Sequence, residues 1–322
     1  MLAFAPPRGN DTAGQNHKDP ESVALHYYKT FEHHGHGRRS RVRNFGDDIN
    51  PWFLPRLFKA ELIESERVCL IGIGTIINRQ NAAQVAHFER KVVFSSGVGY
   101  GVNGSYDDSW DFACVRGPRS AETLGLPPEV GICDGAVLLG DLYPPKPRSA
   151  RDGVVFIPHV RTGAVSGVGL QRICRDLSIG YLTPDVPFET FIETIGSARL
   201  VVTEAMHGAI MADALRTPWI PIEIFYHHRF KWQDWFDSIE LPYEHRAMRP
   251  VFWDRGRSGA MSARAMARML YQRLAMKQTR AKRSLRAILA EAEPRLSADS
   301  VLADRKRRLM DRVNYINDTY SA

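Results

Sequence analysis

The sequence predicts an α/β protein of two parallel-sheet domains followed by a basic helical C-terminal tail, and three observations carry that prediction. Short β-branched runs that end in glycine-bearing turns recur between residues 68 and 222, as strands of buried parallel sheets with an open carboxyl edge do. A length of 322 residues exceeds one ordinary core and implies two domains. The formal charge of +7 is unevenly placed, with sixteen Arg or Lys against six Asp or Glu from Arg255 onward. The remaining body is therefore slightly acidic.

Composition excludes several classes. With 44% apolar and 25% charged residues, the chain is neither disordered nor fibrous. Cys69, Cys114, Cys133 and Cys174 are widely spaced and form no CxxC pair, so neither a zinc site nor a disulfide framework is indicated, and a reducing, cytoplasmic setting fits. Met1 to Arg8 lacks the features of a signal peptide, and the longest apolar run, Val68 to Ile77, is too short and glycine-broken to span a bilayer. No metal and no cofactor is expected. A basic tail on an acidic body, with few aromatics in the tail, argues against nucleic acid and for a local anionic partner such as a membrane surface.

In chain order, residues 1–21 are polar and predict a flexible N-terminus, and Ser22 to Thr30 predicts a first strand. His33-His34-Gly35-His36 has no carboxylate or cysteine at a metal-ligand offset and reads as a loop facing solvent or substrate. Asn44 to Trp52 is a polar turn whose glycine permits close approach of a ligand and whose Asp and Asn can cap a helix starting near Trp52. A plain capping turn is the alternative. Val68 to Thr75 and Lys91 to Gly101 are strands with glycine-rich ends, neither carrying the G-x-G-x-x-G of a dinucleotide site. Asp111 to Gly125 adds Arg116 at a strand end, Pro118 at a first helical position and Ser120 in the opening turn. Arg116 and the nearby N–H groups could converge on a carboxylate or phosphate; a structural ion pair is the alternative. The prolines and charges of Gly140 to Asp152 mark a linker.

The second half opens with the strand Val154 to His159 and a basic turn containing Arg161. Phe188 to Ser197 predicts an amphipathic helix. Leu200 to Ile222 then reads as a complete βαβ unit, in which His207 is the one residue that packing does not require, at a strand's carboxyl end where a helix begins. Phe230 to Trp235 gathers aromatic and charged residues densely enough to predict packing between the halves.

These residues carry a resemblance. Asn44-x-Gly46-Asp47, Val115-Arg116-Gly-Pro-x-Ser120, Asp134-Gly135 and Arg199 to Pro218 around Met206-His207-Gly208-Ala are similar to the polysaccharide pyruvyl transferase family, over about residues 40 to 240. Within that family the chain most resembles the ketal-pyruvate transferases of bacterial exopolysaccharide assembly. It departs at Glu204-Ala205-Met206, where many members carry Arg-Leu before the histidine, which removes a positive charge from the donor side.

The resemblance implies a GT-B-like pair of Rossmann-like domains, with the acceptor domain at 22–145, the donor domain at 152–245 and the basic tail at 246–322. It implies transfer of pyruvate from phosphoenolpyruvate to a sugar of a lipid-linked oligosaccharide or polysaccharide. A GT-B glycosyltransferase using a nucleotide sugar is the alternative. Ketal formation needs an acid, a base and a clamp for two anionic groups. At matched motif positions, Arg116 is the expected clamp and His207 the expected proton donor or phosphate stabiliser; Asp47 is assigned from the chemistry alone, to orient or deprotonate the acceptor. Asn44, Gly46, Ser120 and Gly208, within the matched motifs, are the implied substrate contacts, and His159 and Arg161, outside them, are expected contacts from the basic strand end.

In the tail, apolar positions from Ala265 to Leu289 recur at helical spacing among basic residues. Such helices either pack back on the domains or lie on anionic lipid at the inner membrane face, with Lys282, Arg283, Arg286, Lys306, Arg307 and Arg308 as the expected contacts.

Overall fold

The computed structural model describes residues 25–27, 31–33, 39–41, 44–101, 103–184, 186–249 and 276–321. In the first half, β1 (Leu25–His26) and the antiparallel pair β2 (Phe31–His33) and β3 (Arg39–Arg41) precede α1 (Phe45–Phe53) and α2 (Ala60–Ile63). Then come β4 (Val68–Ile71), α3 (Arg79–Gln84), β5 (Arg90–Ser96), β6 (Trp110–Val115), α4 (Pro118–Thr123) and, after short 3-10 turns, α5 (Leu139–Leu142). The strands β1-β4-β5-β6 form a parallel sheet in that order.

The second half contains β7 (Asp152–Ile157), α6 (Val160–Asp176), β8 (Gly180–Tyr181), α7 (Phe188–Ser197), β9 (Ala198–Thr203) and α8 (Met206–Ala214). It continues through β10 (Trp219–Glu223), α9 (Arg229–Ser238) and β11 (Arg246–Ala247). Its five parallel strands are ordered β11-β10-β9-β7-β8. The chain places β8 on one side of β7 and then crosses to build β9, β10 and β11 on the other. That reversal creates a switch point at the carboxyl ends of β7 and β9, where adjacent loops diverge and leave a crevice.

Alternation along these strands explains why both faces are covered. Phe156, Leu200, Val202, Ile220 and Ile222 pack with Leu170 and Ile173 of α6. Val155, Ile157, Val201 and Trp219 point the other way, into a core that includes Leu70, Val92 and Phe94 of the first sheet. The halves thus share one buried core, in which Phe45 stacks on Phe191 with ring centroids 3.5 Å apart.

One local expectation fails. The stretch from Asn44 is a helix from Phe45, not a turn ahead of Trp52. The Asn44 N–H donates to Asp48 Oδ2 at 3.1 Å, so the acidic residues nucleate the first turn instead of forming a loop. Buried Asn50 then anchors the helix by bonding both the N–H and the C=O of Ile73.

The described part of the tail is built into the body. Residues Trp219 and Arg295 exchange two backbone hydrogen bonds, at 3.1 and 2.7 Å. Helix α10 (Met276–Glu291) buries Ala281, Leu285 and Ile288 on the second sheet, and α11 (Asp299–Tyr320) buries Leu302, Leu309, Val313 and Ile316 in the shared core. Several of its basic residues have acidic partners: Lys282 with Asp176, Lys306 with Asp141, and Arg307 with Asp304 and Asp311. Arg308 donates to the Glu129 carbonyl at 2.7 Å. The N-terminus expected to be flexible, His34, His36 and the helical spacing from Ala265 to Leu274 lie outside the described residues. Among the described residues no helix is long and apolar enough to cross a membrane.

Candidate active site

The switch point is where the chemistry-bearing side chains gather. Beyond β7, His159 caps α6 by accepting the Arg161 N–H at 3.2 Å through Nδ1. Beyond β9, buried Glu204 turns its carboxylate onto four backbone donors: Ile224, Phe225 and Tyr226 on Oε1, and His159 on Oε2. Those bonds fasten the loops after β7 and β10 to each other, so the departure at Glu204 has a structural task.

His207 is the second residue of α8, and its ring is wedged between the halves. On one side stands Gly46 of α1, where a Cβ would come within 2.2 Å of Nδ1; only glycine leaves room for the imidazole. On the other side stands Asp134, fully buried, whose Oδ1 accepts the Ala136 N–H at 3.1 Å. Asp134 Oδ2 lies 3.6 Å from His207 Nε2, and among the described residues neither atom has a hydrogen-bond partner. Unsatisfied buried polar atoms are costly and cluster where a ligand or a proton is handled. Asn44 and Asp47 adjoin this pair through Gly46, with Asn44 Nδ2 donating to Asp47 Oδ2 at 2.6 Å.

A second group of side chains supplies positive charge. His159 stacks on Tyr226 with centroids 5.3 Å apart, and the Arg161 guanidinium lies 5.6 Å from the same ring. From α9, Lys231 reaches across to Tyr100 of the first half, 4.9 Å from the ring centroid, and His228 meets the same ring edge-on at 4.7 Å. Burial, helped by Lys231 and Arg161, pushes His159 down to about 3. Burial likewise lowers His228, with Lys231 and Arg116 contributing. Both imidazoles are therefore neutral at physiological pH, and the cationic charge of this face rests on Arg161 and Lys231.

Arg116 is engaged elsewhere. It is fully buried, and its three guanidinium nitrogens donate to Asp234 Oδ2 at 3.2 Å, Thr75 Oγ1 at 2.7 Å and the Val98 carbonyl at 2.9 Å. Asp234 also accepts the Ser120 N–H at 3.0 Å and its hydroxyl at 2.5 Å. Arg116, expected as the clamp, here makes the alternative read from the sequence, an ion pair joining the two halves, and Ser120, expected to touch substrate, hydrogen-bonds the same carboxylate. Gly208, expected to touch substrate, lets α8 pack against Thr203, whose Oγ1 would sit 2.6 Å from a Cβ there.

The family model of the polysaccharide pyruvyl transferases matches residues 47–224, a span that holds most of this site. The chain belongs to that family. It is also 33% identical over 317 residues to the succinoglycan biosynthesis protein ExoV of Rhizobium meliloti (strain 1021), covering 87% of this chain and 98% of the relative. No solved structure matches. As a member of this family the protein is a transferase, and neither match favours a nucleotide-sugar glycosyltransferase.

Of the residues singled out in the sequence, the fold brings Asn44, Gly46, Asp47 and His207 together, and His159 and Arg161 to the same sheet edge. Sequence reasoning gave no role to Lys231 and His228, which lie in or beside the aromatic-rich stretch read as packing. Their only signal was a lysine among tryptophans, which a helix buried on every side would not tolerate. The four cysteines are buried, and burial pushes each thiol up to about 12, so none serves as a nucleophile at neutral pH.

Proposed function

We propose that this transferase moves pyruvate from phosphoenolpyruvate to a pair of hydroxyls on a sugar of a bacterial exopolysaccharide repeat unit, forming a pyruvate ketal. The observation that carries the reading is the pairing of His207 with Asp134 at the switch point, on the sheet edge where Arg161 and Lys231 act on His159. Phosphoenolpyruvate is a small trianion, and such a ligand needs cations to offset its lost hydration.

The reaction assigns a task to each group. His207 delivers a proton to the methylene carbon, which turns the adjacent carbon into an electrophile. A sugar hydroxyl attacks that carbon, and Asp47, held by Asn44, orients or deprotonates it. The carbon–oxygen bond to phosphate breaks, and the second hydroxyl closes the ring. One hydroxyl proton ends on the new methyl group by way of the imidazole and the other leaves with phosphate. Asp134 holds the imidazole and returns it to register after each transfer. Arg161 and Lys231 bind the carboxylate and phosphate, while Arg116 and Ser120 position the halves through Asp234.

Incubation with phosphoenolpyruvate and a panel of lipid-linked or p-nitrophenyl sugars tests the reading. A mass gain of one pyruvate ketal with stoichiometric phosphate release is expected. Transfer of a sugar from a nucleotide donor under the same conditions, with no use of phosphoenolpyruvate, would overturn it. The relative's role in succinoglycan biosynthesis makes intermediates of polysaccharide assembly the first acceptors to try.

A further inference from the structure

The strand β11 ends at Ala247, and Met248 continues its pairing by donating to the Glu223 carbonyl at 2.9 Å. Arg249 therefore emerges on the carboxyl edge of the second sheet, the edge that also carries His207. There it meets Arg280, Arg283, Ser284 and Ala287 of α10 around an open groove of about 490 Å³. The spacing of the α10 residues, at three, four and seven positions, places them on one side of the helix, and Ala281, Leu285 and Ile288 anchor its other side in the core.

The charges in this groove differ from several others of the tail. Lys282, Arg305, Lys306 and Arg307 each have a carboxylate within 2.8 Å. Among the described residues, no carboxylate pairs with Arg249, Arg280 or Arg283. Three guanidinium groups around one concavity repel one another, and an anion is what offsets that repulsion. Arginine presents a planar fork of donors that matches phosphate oxygens in pairs. Ser284, which also lines the groove, adds a hydroxyl to the set: its Oγ accepts the Arg249 N–H at 3.2 Å, a bond that does not use the hydroxyl hydrogen.

We propose that Arg249, Arg280, Arg283 and Ser284 form a phosphate-binding groove, separate from the site around His207. Its ligand is a phosphate ester or diphosphate, presented by a lipid headgroup at a membrane surface or by a soluble molecule. The assignment does not depend on the pyruvyl donor or acceptor. It also narrows the basic surface expected from the sequence, because Lys282, Lys306, Arg307 and Arg308 are occupied by partners within the protein.

The full chain is tested by co-sedimentation at low salt with phosphatidylcholine vesicles, with and without one third phosphatidylglycerol, and by calorimetric titration with inorganic diphosphate. Binding to the anionic vesicles alone identifies a headgroup site, and binding of diphosphate without vesicles identifies a soluble ligand. Either supports the groove, provided the variant R249Q/R280Q/R283Q binds about a hundredfold more weakly, since each basic residue near an anionic surface contributes about fivefold. The control R79Q/R172Q/R199Q removes equal charge from exposed sites elsewhere and is expected to retain most of the binding. Both variants are checked for an unchanged melting temperature. No binding to either probe, or equal loss in the two variants, would overturn the proposal.

Discussion

Two acid–base pairs join the halves of this protein, and they are built in opposite ways. In one, the first half contributes the cation Arg116 and the second contributes Asp234. In the other, the first half contributes Asp134 and the second contributes His207. Around Arg116 the three guanidinium nitrogens and both carboxylate oxygens of Asp234 have partners. Between Asp134 and His207 a gap of 3.6 Å leaves one oxygen and one nitrogen with none among the described residues. Full satisfaction suits a joint, because any movement would expose an unpaired charge. An unfilled pair suits chemistry, because the missing partner can be a substrate or a migrating proton.

The largest expected effect separates the two directly. His207→Ala is predicted to lower ketal formation by about a thousandfold, the range in which a lost general acid falls, while the melting temperature stays within a few degrees of wild type. Comparable loss of stability would mean that His207 is a joint as well. Arg116→Met should behave in reverse. It strands Asp234 in the core and is predicted to cost about 3–5 kcal/mol by denaturant unfolding, with activity per folded molecule falling far less than in the histidine variant. Adding Asp234→Leu to it is predicted to restore much of the stability; failure to do so would point to a direct role for Arg116.

A smaller effect sharpens the donor side. Lys231→Gln is predicted to raise the KM for phosphoenolpyruvate about tenfold, with an unchanged melting temperature, as removal of one exposed-edge cation from a bound anion should. An unchanged KM would move the anion away from α9.

The mildest prediction concerns acid. Burial is the chief cause that pushes His159 to about 3, His227 to about 4 and His245 to about 3, from an ordinary 6.5. The unfolded chain takes up protons below its own pKa of 6.5 while the folded chain does not, so stability is full above 6.5 and declines as the pH falls toward 3–4. The melting temperature should fall between about pH 7 and about pH 5, and His245→Phe should flatten the slope. A flat profile in wild type would show that these rings are solvated.

Much of the scaffold was legible because parallel strands buried on two faces leave apolar runs that few other elements produce. His207 stood out for the complementary reason, as a polar residue where packing asked for none. The polar stretch from Asn44 misled, since the same Asp and Asn residues that favour turns also start helices, and buried Phe45, Ile49 and Phe53 decided between them. The joint was not legible. Arg116 and Asp234 are 118 positions apart, and nothing local distinguishes an arginine waiting for a ligand from one already paired. The same holds for Glu204, whose four donors come from loops after other strands.

The seating of α11 bears on how the molecule is made. Its buried Leu302, Leu309, Val313 and Ile316 share a core with Ala113 and Cys114 of β6. During translation those strand residues leave the ribosome nearly two hundred codons before the side chains that cover them. The first sheet must therefore wait with an apolar face exposed, so a chaperone that shields it during synthesis should improve the yield of native enzyme more than one acting on the completed chain.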